Sequence, residues 1–193
     1  MENKKYKEVI WYGRGGQGAI TASQLIAEAA HIEGYKGITT APSFGAERRG
    51  APVAAFLRLS QEPIRIFSQI SDPDVIVVLD PSLLPVLKLK DRYNSSATVI
   101  INSRHKPEDL DLDTFSLVGT ADVTHVALEN NLTMAGIAIL NTPILGAFVK
   151  TTELVSLASV EKAVMKKFSP DKARINMLAA KIIYDSTVMH HRS

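Results

Sequence analysis

Residues 13 to 18 of this 193-residue chain read Gly-Arg-Gly-Gly-Gln-Gly, and this segment constrains the fold more than any other. An apolar run ends directly before it at Tyr12, and a stretch with helical character begins directly after it at Ala19. This order predicts a strand, a tight turn and a helix. Glycines let several backbone N–H groups approach one anion, with the positive end of the helix dipole behind them. We therefore predict an anion-binding turn near the N-terminus.

The glycines alone do not establish a dinucleotide site, because that site also needs an acid at the tip of the second strand, about 20 residues further on. We predict the second strand at about 37–41, ending in Ala41-Pro42-Ser43. Glu33 comes before that strand, and Glu47 lies in the loop after it. NAD binding therefore remains an alternative. A second alternative is that the glycines serve only the close packing of strand and helix.

The length favours one domain over residues 1–193, and the lack of membrane and secretion signals described below predicts that it is cytoplasmic. The net charge is +2 and the basic residues are scattered, which argues against nucleic acid as the main partner. No apolar run approaches the length that spans a bilayer, and the N-terminus lacks the apolar core of a signal peptide. We therefore expect neither a nucleic-acid partner nor a membrane.

The chain offers little reactive chemistry of its own. It contains no cysteine, which excludes disulfides, thiolate nucleophiles and thiolate ligands to an iron-sulfur cluster. Its five histidines lack metal-ligand spacing, and His190 and His191 are predicted to fray as a tail. Neither a nucleophile elbow nor a Gly-Lys-Ser/Thr phosphate loop is present. We predict no catalytic residue and no metal site.

The chain alternates between strand-like and helix-like segments, which predicts a doubly wound α/β fold. Residues 74–80 and 97–102 are short β-branched runs typical of buried parallel strands, and 115–118 is a third candidate. Residues 82–90 are predicted to be a helix capped by Ser82. Residues 51–67 are predicted to form an added β-hairpin, with its second arm at 64–67.

The C-terminal third is predicted to be helical, with apolar residues at helical spacing before and after a break at Ser169-Pro170-Asp171. The predicted fold class is therefore α/β: a Rossmann-like, mostly parallel sheet with an added β-hairpin and C-terminal helices.

The loop between Pro42 and Pro52 is a second candidate site. It is rich in glycine and proline and presents Glu47, Arg48 and Arg49 in a row. An arginine pair can grip a phosphate or carboxylate, which would complement an anion at the glycine turn. The alternative is a solvated charged loop without a function.

A third segment, 141–147, reads Asn-Thr-Pro-Ile-Leu-Gly-Ala. Thr142 before Pro143 is a good helix start, and Gly146 allows another backbone to approach. A capped internal helix would by itself explain this pattern.

Together these segments resemble the gamma subunit of the 2-oxoacid:ferredoxin oxidoreductases, of which pyruvate:ferredoxin oxidoreductase is the best known. The resemblance covers nearly the whole chain, and its order and spacing are more specific than any one motif. The segments that carry it are 13–18, 42–52, 62–64, 73–75, 141–147 and 157–161.

This resemblance implies one part of an enzyme that decarboxylates a 2-oxoacid, pyruvate by preference, on thiamine diphosphate. The enzyme sends two electrons through iron-sulfur clusters to ferredoxin and passes the acyl group to coenzyme A. It also implies that thiamine diphosphate lies between alpha and beta subunits and that the clusters belong to delta and beta subunits. The isolated gamma chain would bind none of these cofactors alone and would be inactive.

The resemblance leads to one hypothesis about the site: the glycine turn and the arginine pair face the catalytic subunits or the anionic end of coenzyme A. Rival hypotheses are a stand-alone NAD(P)-binding sensor or dehydrogenase, and a scaffold that serves assembly only. The residues placed in the site are Gly13, Arg14, Gly15, Gly16, Gln17, Gly18, Arg48 and Arg49.

Overall fold

A seven-stranded sheet forms the centre of the computed structural model, which describes residues 5–42, 52–66 and 68–192. Across the sheet the strand order is β2-β3-β1-β4-β5-β6-β9. A separate two-stranded hairpin is formed by β7 and β8. The strands are β1 (Lys7–Arg14), β2 (Gly37–Pro42), β3 (Pro52–Ser60), β4 (Val75–Val78), β5 (Thr98–Asn102), β6 (Leu117–Ala121), β7 (Thr133–Met134), β8 (Ile137–Ala138) and β9 (Val188–His191).

Most strands of the sheet run in one direction. Neighbouring strands β1, β4, β5 and β6 pair in parallel. Strand β3 is antiparallel to both β1 and β2, so β2 runs in the same direction as β1. Strand β9 is antiparallel to β6. The predicted α/β class with a mostly parallel sheet is confirmed, and the carboxyl ends of the parallel strands collect at one end of the sheet.

Helices cover both faces of the sheet. Alternate strand residues such as Val9, Trp11 and Val77 pack with the longer helices on one face, while Ile10 and Ile76 pack with short helical segments on the other. This burial on two faces explains the continuous apolar runs of the parallel strands. The helices are α1 (Ala19–Ile32), α2 (Leu84–Leu87), α3 (Leu89–Arg92), α4 (Val123–Glu129), α5 (Pro143–Thr152), α6 (Leu157–Lys167) and α7 (Pro170–Ser186).

The predicted position of the β-hairpin was wrong. Residues 64–66 are not a strand, and Phe67 lies outside the described residues. Strand β3 instead lies between β2 and β1, so its partners come from earlier in the chain. The antiparallel hairpin is formed by β7 and β8, whose turn contains Ala135 and Gly136 with positive φ angles of 49° and 78°.

Two further local predictions were wrong. The helix expected at 82–90 is instead a 3₁₀ turn followed by α2 and α3, and Lys88, with a left-handed φ of 46°, separates α2 from α3. Its cap is Asp80, whose side chain accepts from the Ser82 backbone N–H. His190 and His191 are not a fraying tail, since they lie in β9 and pair with Val118 and Leu117.

Helices α5 and α7 pack closely through Gly146, where an added Cβ would lie 2.0 Å from the carbonyl oxygen of Ala180. This contact confirms that another backbone approaches Gly146. Among the described helices, none has the length and apolar character needed to cross a bilayer.

Candidate functional site

The glycine turn, residues 13–18, joins the end of β1 to the start of α1. Gly16 and Gly18 have φ angles of 97° and 91°, which other residues rarely adopt. Gly18 occupies the N-cap of α1 and offers no capping side chain. Within the described part of the chain, the backbone N–H groups of Gly15, Gly16 and Gly18 have no hydrogen-bond acceptor. The turn therefore has the donors and the helix terminus that suit an anion.

The two non-glycine residues of the turn are bound to Asp80, which follows β4. Arg14 Nε donates to Asp80 Oδ2 at 3.0 Å, and Gln17 Nε2 donates to the same oxygen at 3.0 Å. Asp80 Oδ1 accepts from the Ser82 backbone N–H at 3.0 Å and from its hydroxyl at 2.6 Å. Arg14 Nη2 donates to Ser82 Oγ at 2.8 Å. These contacts tie the glycine turn to the neighbouring parallel strand.

The surroundings of Asp80 favour the ionised form of its carboxyl group. Partial burial alone would raise the pKa of Asp80, but the hydrogen bonds from Ser82 and Gln17 and the charge of Arg14 together lower that pKa below its ordinary value. The sequence interpretation treated Asp80 only as the end of a strand. Its position at the carboxyl end of a strand next to β1 was the signal that could have identified it.

A cleft of about 1150 Å³ opens beside the turn. Arg14, Gly15, Gly16 and Gly18 form one wall of this cleft, together with the first turn of α1. The hairpin β7–β8 and its flanking residues form a second wall, and the start of α7 forms a third. Gly13 and Gln17 were also placed in the site from the sequence, yet they do not line the cleft: Gly13 is buried and the Gln17 amide is engaged by Asp80.

The structure brings the first and third sequence motifs together. A Cβ atom on Gly18 would lie 2.7 Å from the Cβ atom of Asn141, which also lines the cleft. Helix α5 begins at Pro143 as predicted, but Thr142 makes no side-chain cap. Its backbone N–H instead donates to Asn141 Oδ1 at 2.7 Å. Asn141 therefore borders the glycine turn, and its carboxamide oxygen accepts a hydrogen bond from the backbone just before α5.

Lys172 and Asn176 line the cleft from α7, and the sequence interpretation missed both. Asn176 Nδ2 donates to the Lys172 backbone oxygen at 2.9 Å. Asn176 Oδ1 is buried and has no hydrogen-bond partner among the described residues. Lys172 and Arg14 are the basic residues of the cleft within the described ranges. Arg14 and Lys172 are far apart in sequence, and only the tertiary fold brings them to the same cleft.

Glu33, an acid weighed for a ribose contact, has a structural role instead. Its Oε1 accepts from the Ser156 backbone N–H at 2.6 Å and from the Ser159 hydroxyl at the start of α6. Partial burial raises the pKa of Glu33, but these hydrogen bonds outweigh that effect and lower it. Strand β2 ends at Ala41 and Pro42 without an acid. Glu47 lies outside the described residues.

Arg48 and Arg49, the predicted partners of the anion, also lie outside the described residues. The neighbouring described strands give the position of the chain on either side. Pro52 is opposite Arg14 in the β1–β3 register, and Pro42 is opposite Ala55. Both prolines are therefore at the end of the sheet that carries the glycine turn.

Over residues 5–42, 52–66 and 68–192, no three His, Asp or Glu side chains are grouped as metal ligands.

A model of the family described as pyruvate ferredoxin/flavodoxin oxidoreductase matches residues 8–186. The chain belongs to this family. The common gamma subunit of the pyruvate/ketoisovalerate oxidoreductases of Pyrococcus furiosus is 44% identical over 184 residues, covering 93% of this chain and 96% of that protein. The gamma subunit of an NADH-dependent phenylglyoxylate dehydrogenase from Aromatoleum evansii is 40% identical over 186 residues, covering 95% of each chain.

A solved structure of this family supports the fold over the same length. Pyruvate oxidoreductase subunit PORC from Thermotoga maritima superposes with a TM-score of 0.81 at 33% identity, covering 97% of this chain and all of that one. The resemblance to a gamma subunit is therefore confirmed: this chain is the gamma subunit of a 2-oxoacid:ferredoxin oxidoreductase. The stand-alone sensor or dehydrogenase is not favoured.

Proposed function

We propose that this gamma subunit contributes the coenzyme A-binding cleft of an enzyme that oxidises pyruvate. The enzyme converts a 2-oxoacid and coenzyme A to acyl-coenzyme A and carbon dioxide, and passes two electrons to ferredoxin. The observation that carries the proposal is the cleft of about 1150 Å³. One of its walls has backbone N–H groups with no acceptor among the described residues, and another has a lysine.

The other cofactors are proposed to lie on partner chains. Thiamine diphosphate would supply the decarboxylation chemistry between the alpha and beta subunits, and iron-sulfur clusters on the beta and delta subunits would carry electrons to ferredoxin. The lack of cysteine supports this division, because a cluster is held by cysteine thiolates. We further propose that residues 1–193 form one Rossmann-like domain.

Pyruvate is proposed as the substrate because the relatives from Pyrococcus furiosus and Thermotoga maritima both carry pyruvate in their names. The relative from Aromatoleum evansii is named for phenylglyoxylate at comparable identity. Gamma subunits named for different 2-oxoacids are thus about equally similar to this chain. We propose that the walls of the substrate pocket are supplied by the other subunits.

Coenzyme A fits the chemistry of the cleft in two ways. Its phosphates are anions, which the N–H groups of the glycine turn and the N-terminus of α1 can receive. Lys172 adds positive charge, whereas the charge of Arg14 is balanced by its ion pair with Asp80, and Arg48 and Arg49 are proposed to add more. Its long pantetheine arm can pack on the apolar side chains of the walls, such as Ile20 and Ile139.

NAD fits less well. An adenine dinucleotide site of this fold uses an acid at the tip of the strand after α1 to bind the ribose hydroxyls. Strand β2 ends at Ala41 and Pro42, and Glu33 is engaged by Ser156 and Ser159 at the start of α6.

The test replaces Lys172 in the enzyme assembled with its partner subunits. Lys172→Met is expected to raise the KM for coenzyme A about tenfold, since one charged contact is lost, and to leave the KM for pyruvate unchanged. Lys181→Met is the matched control on the same helix, because Lys181 pairs with Asp185 and does not line the cleft. Equal coenzyme A kinetics in both variants would contradict the proposal.

Calorimetry distinguishes the rival functions. Coenzyme A and NAD are titrated into the assembled enzyme and into its Lys172→Met variant. Saturable binding of coenzyme A alone is expected, about tenfold weaker in the variant. Saturable binding of NAD would favour the dinucleotide sensor. Coenzyme A binding that is equally tight in both enzymes would favour a scaffold that serves assembly only, with coenzyme A held by the other subunits.

A further inference from the structure

Asp80 is distant in sequence from the glycine turn but is fixed beside it by the sheet. Strand β4 pairs in parallel with β1, with Val78 opposite Tyr12. The pairing continues one residue further, since the Leu79 backbone N–H donates to the Tyr12 carbonyl at 2.8 Å. Asp80 therefore leaves the sheet at the level where β1 enters the turn.

The turn is closed by reciprocal contacts between Arg14 and Gln17. The Arg14 backbone N–H donates to Gln17 Oε1 at 2.7 Å, and the Gln17 backbone N–H donates to the Arg14 carbonyl at 3.0 Å. The Gln17 side chain thus bridges two parts of the site, with its oxygen on the turn and its nitrogen on Asp80. A change that lets the Gln17 carboxamide move away from Asp80 is therefore expected to break the hydrogen bond from the Arg14 backbone N–H as well.

We infer that Asp80 is the positioning residue of the glycine turn: by holding Arg14 and Gln17 together, it keeps the N–H groups of Gly15, Gly16 and Gly18 available at the cleft. The proposed function enters this inference only in naming coenzyme A as the ligand that uses these groups. Asp80 acts through the turn and is not itself among the residues that line the cleft.

A carboxylate is required at this position because the four contacts that define it are all donated to Asp80, two to each oxygen. Asparagine has nearly the same size but only one acceptor oxygen. Its NH₂ group would face either Arg14 and Gln17 or the two donors of Ser82. Asp80→Asn is therefore expected to weaken the hydrogen bonds that hold Arg14 and Gln17 together, without creating a cavity.

The experiment measures hydrogen exchange and steady-state kinetics on the assembled enzyme. In peptides spanning residues 12–18, the Arg14 and Gln17 amides of Asp80→Asn are expected to exchange about tenfold faster than in the unaltered enzyme. The KM for coenzyme A is expected to rise about tenfold, with kcat at saturating coenzyme A within about twofold. Asp80→Glu, which keeps the charge, is expected to recover most of the coenzyme A affinity.

Asp74→Asn is the matched control, because Asp74 lies just before the opposite end of β4 and accepts from the Glu8 backbone N–H. It is expected to leave exchange in peptide 12–18 and the KM for coenzyme A unchanged. Where Asp80→Asn does not assemble, Ser82→Ala carries the test, since it removes one donor to Asp80 and one acceptor from Arg14. About threefold faster exchange is then expected.

The outcomes separate this inference from the proposed function. Unchanged exchange in an assembled Asp80→Asn enzyme overturns the positioning role of Asp80. Faster exchange with an unchanged KM for coenzyme A supports the positioning role and contradicts coenzyme A as the ligand. Faster exchange with a raised KM supports both.

Discussion

A Cβ atom placed on Gly18 would lie 2.7 Å from the Cβ atom of Asn141. The glycine turn and the segment that begins α5 are thus in direct contact, although they are far apart in the chain. Gly18 is required for two separate reasons, its φ angle of 91° and the absence of space for a side chain.

Gly18→Ala is expected to destabilise the protein by about 2–4 kcal/mol, because the strain of a left-handed alanine adds to the clash with Asn141. Gly16→Ala is the matched control: its φ is 97°, but no atom lies within 4 Å of the added Cβ. Its expected cost is about 1 kcal/mol. Urea unfolding of both variants measures the difference, and equal costs would show that Asn141 does not restrict this position.

Glu33 is expected to stabilise the fold in a pH-dependent way. Its pKa in the folded protein is below the ordinary value of 4.5, so its contribution is present above that pH and is lost as the pH falls through the folded pKa. Glu33→Gln keeps an acceptor oxygen at the start of α6 but removes the charge. The difference in unfolding free energy is expected to be below about 1 kcal/mol, because the side chain is exposed.

Unfolding of both proteins in urea between pH 7 and pH 3 measures this effect. The two stabilities are expected to differ by a constant amount above pH 4.5 and to converge below it. A difference that grows on acidification would contradict the role given to the Glu33 carboxylate.

Glu8 and Arg58 form a buried ion pair across β1 and β3. Arg58 Nε lies 2.8 Å from Glu8 Oε1, and each side chain is 7% exposed. Arg58→Met is expected to cost about 3–5 kcal/mol, because it leaves a buried carboxylate without this partner. The double variant Glu8→Leu with Arg58→Met is expected to recover most of that loss. Chemical denaturation of the single and double variants checks this, and a cost below about 1 kcal/mol for Arg58→Met alone would contradict the role given to this ion pair.

The local elements of the fold were predictable where local sequence determines them. The β1–turn–α1 unit and strands β4 and β5 followed from apolar runs bounded by glycine, proline or polar residues. The helix expected at 82–90 was not continuous, because Lys88 has a left-handed backbone that its sequence does not signal.

The arrangement of these elements was less predictable, because it depends on pairing between distant segments. Nothing local indicates that β3 enters between β2 and β1, or that residues 188–191 add a strand beside β6. The same dependence on distant segments explains why only part of the site could be predicted. The glycines of residues 13–18 were identified from their spacing. Asp80 reaches the turn, and Lys172 and Asn176 reach the cleft, only through the fold. The assignment of ligand contacts to Arg48 and Arg49 stays a prediction.

Photolabelling of the assembled enzyme with azido-coenzyme A shows whether this gamma subunit provides the coenzyme A cleft. Mass spectrometry of the digested subunits then locates the label. Labelled peptides are expected from the cleft walls, within residues 130–141 or 168–176, and this label is expected to disappear when excess coenzyme A competes. Competable label found only on the other subunits would contradict this role of the gamma subunit.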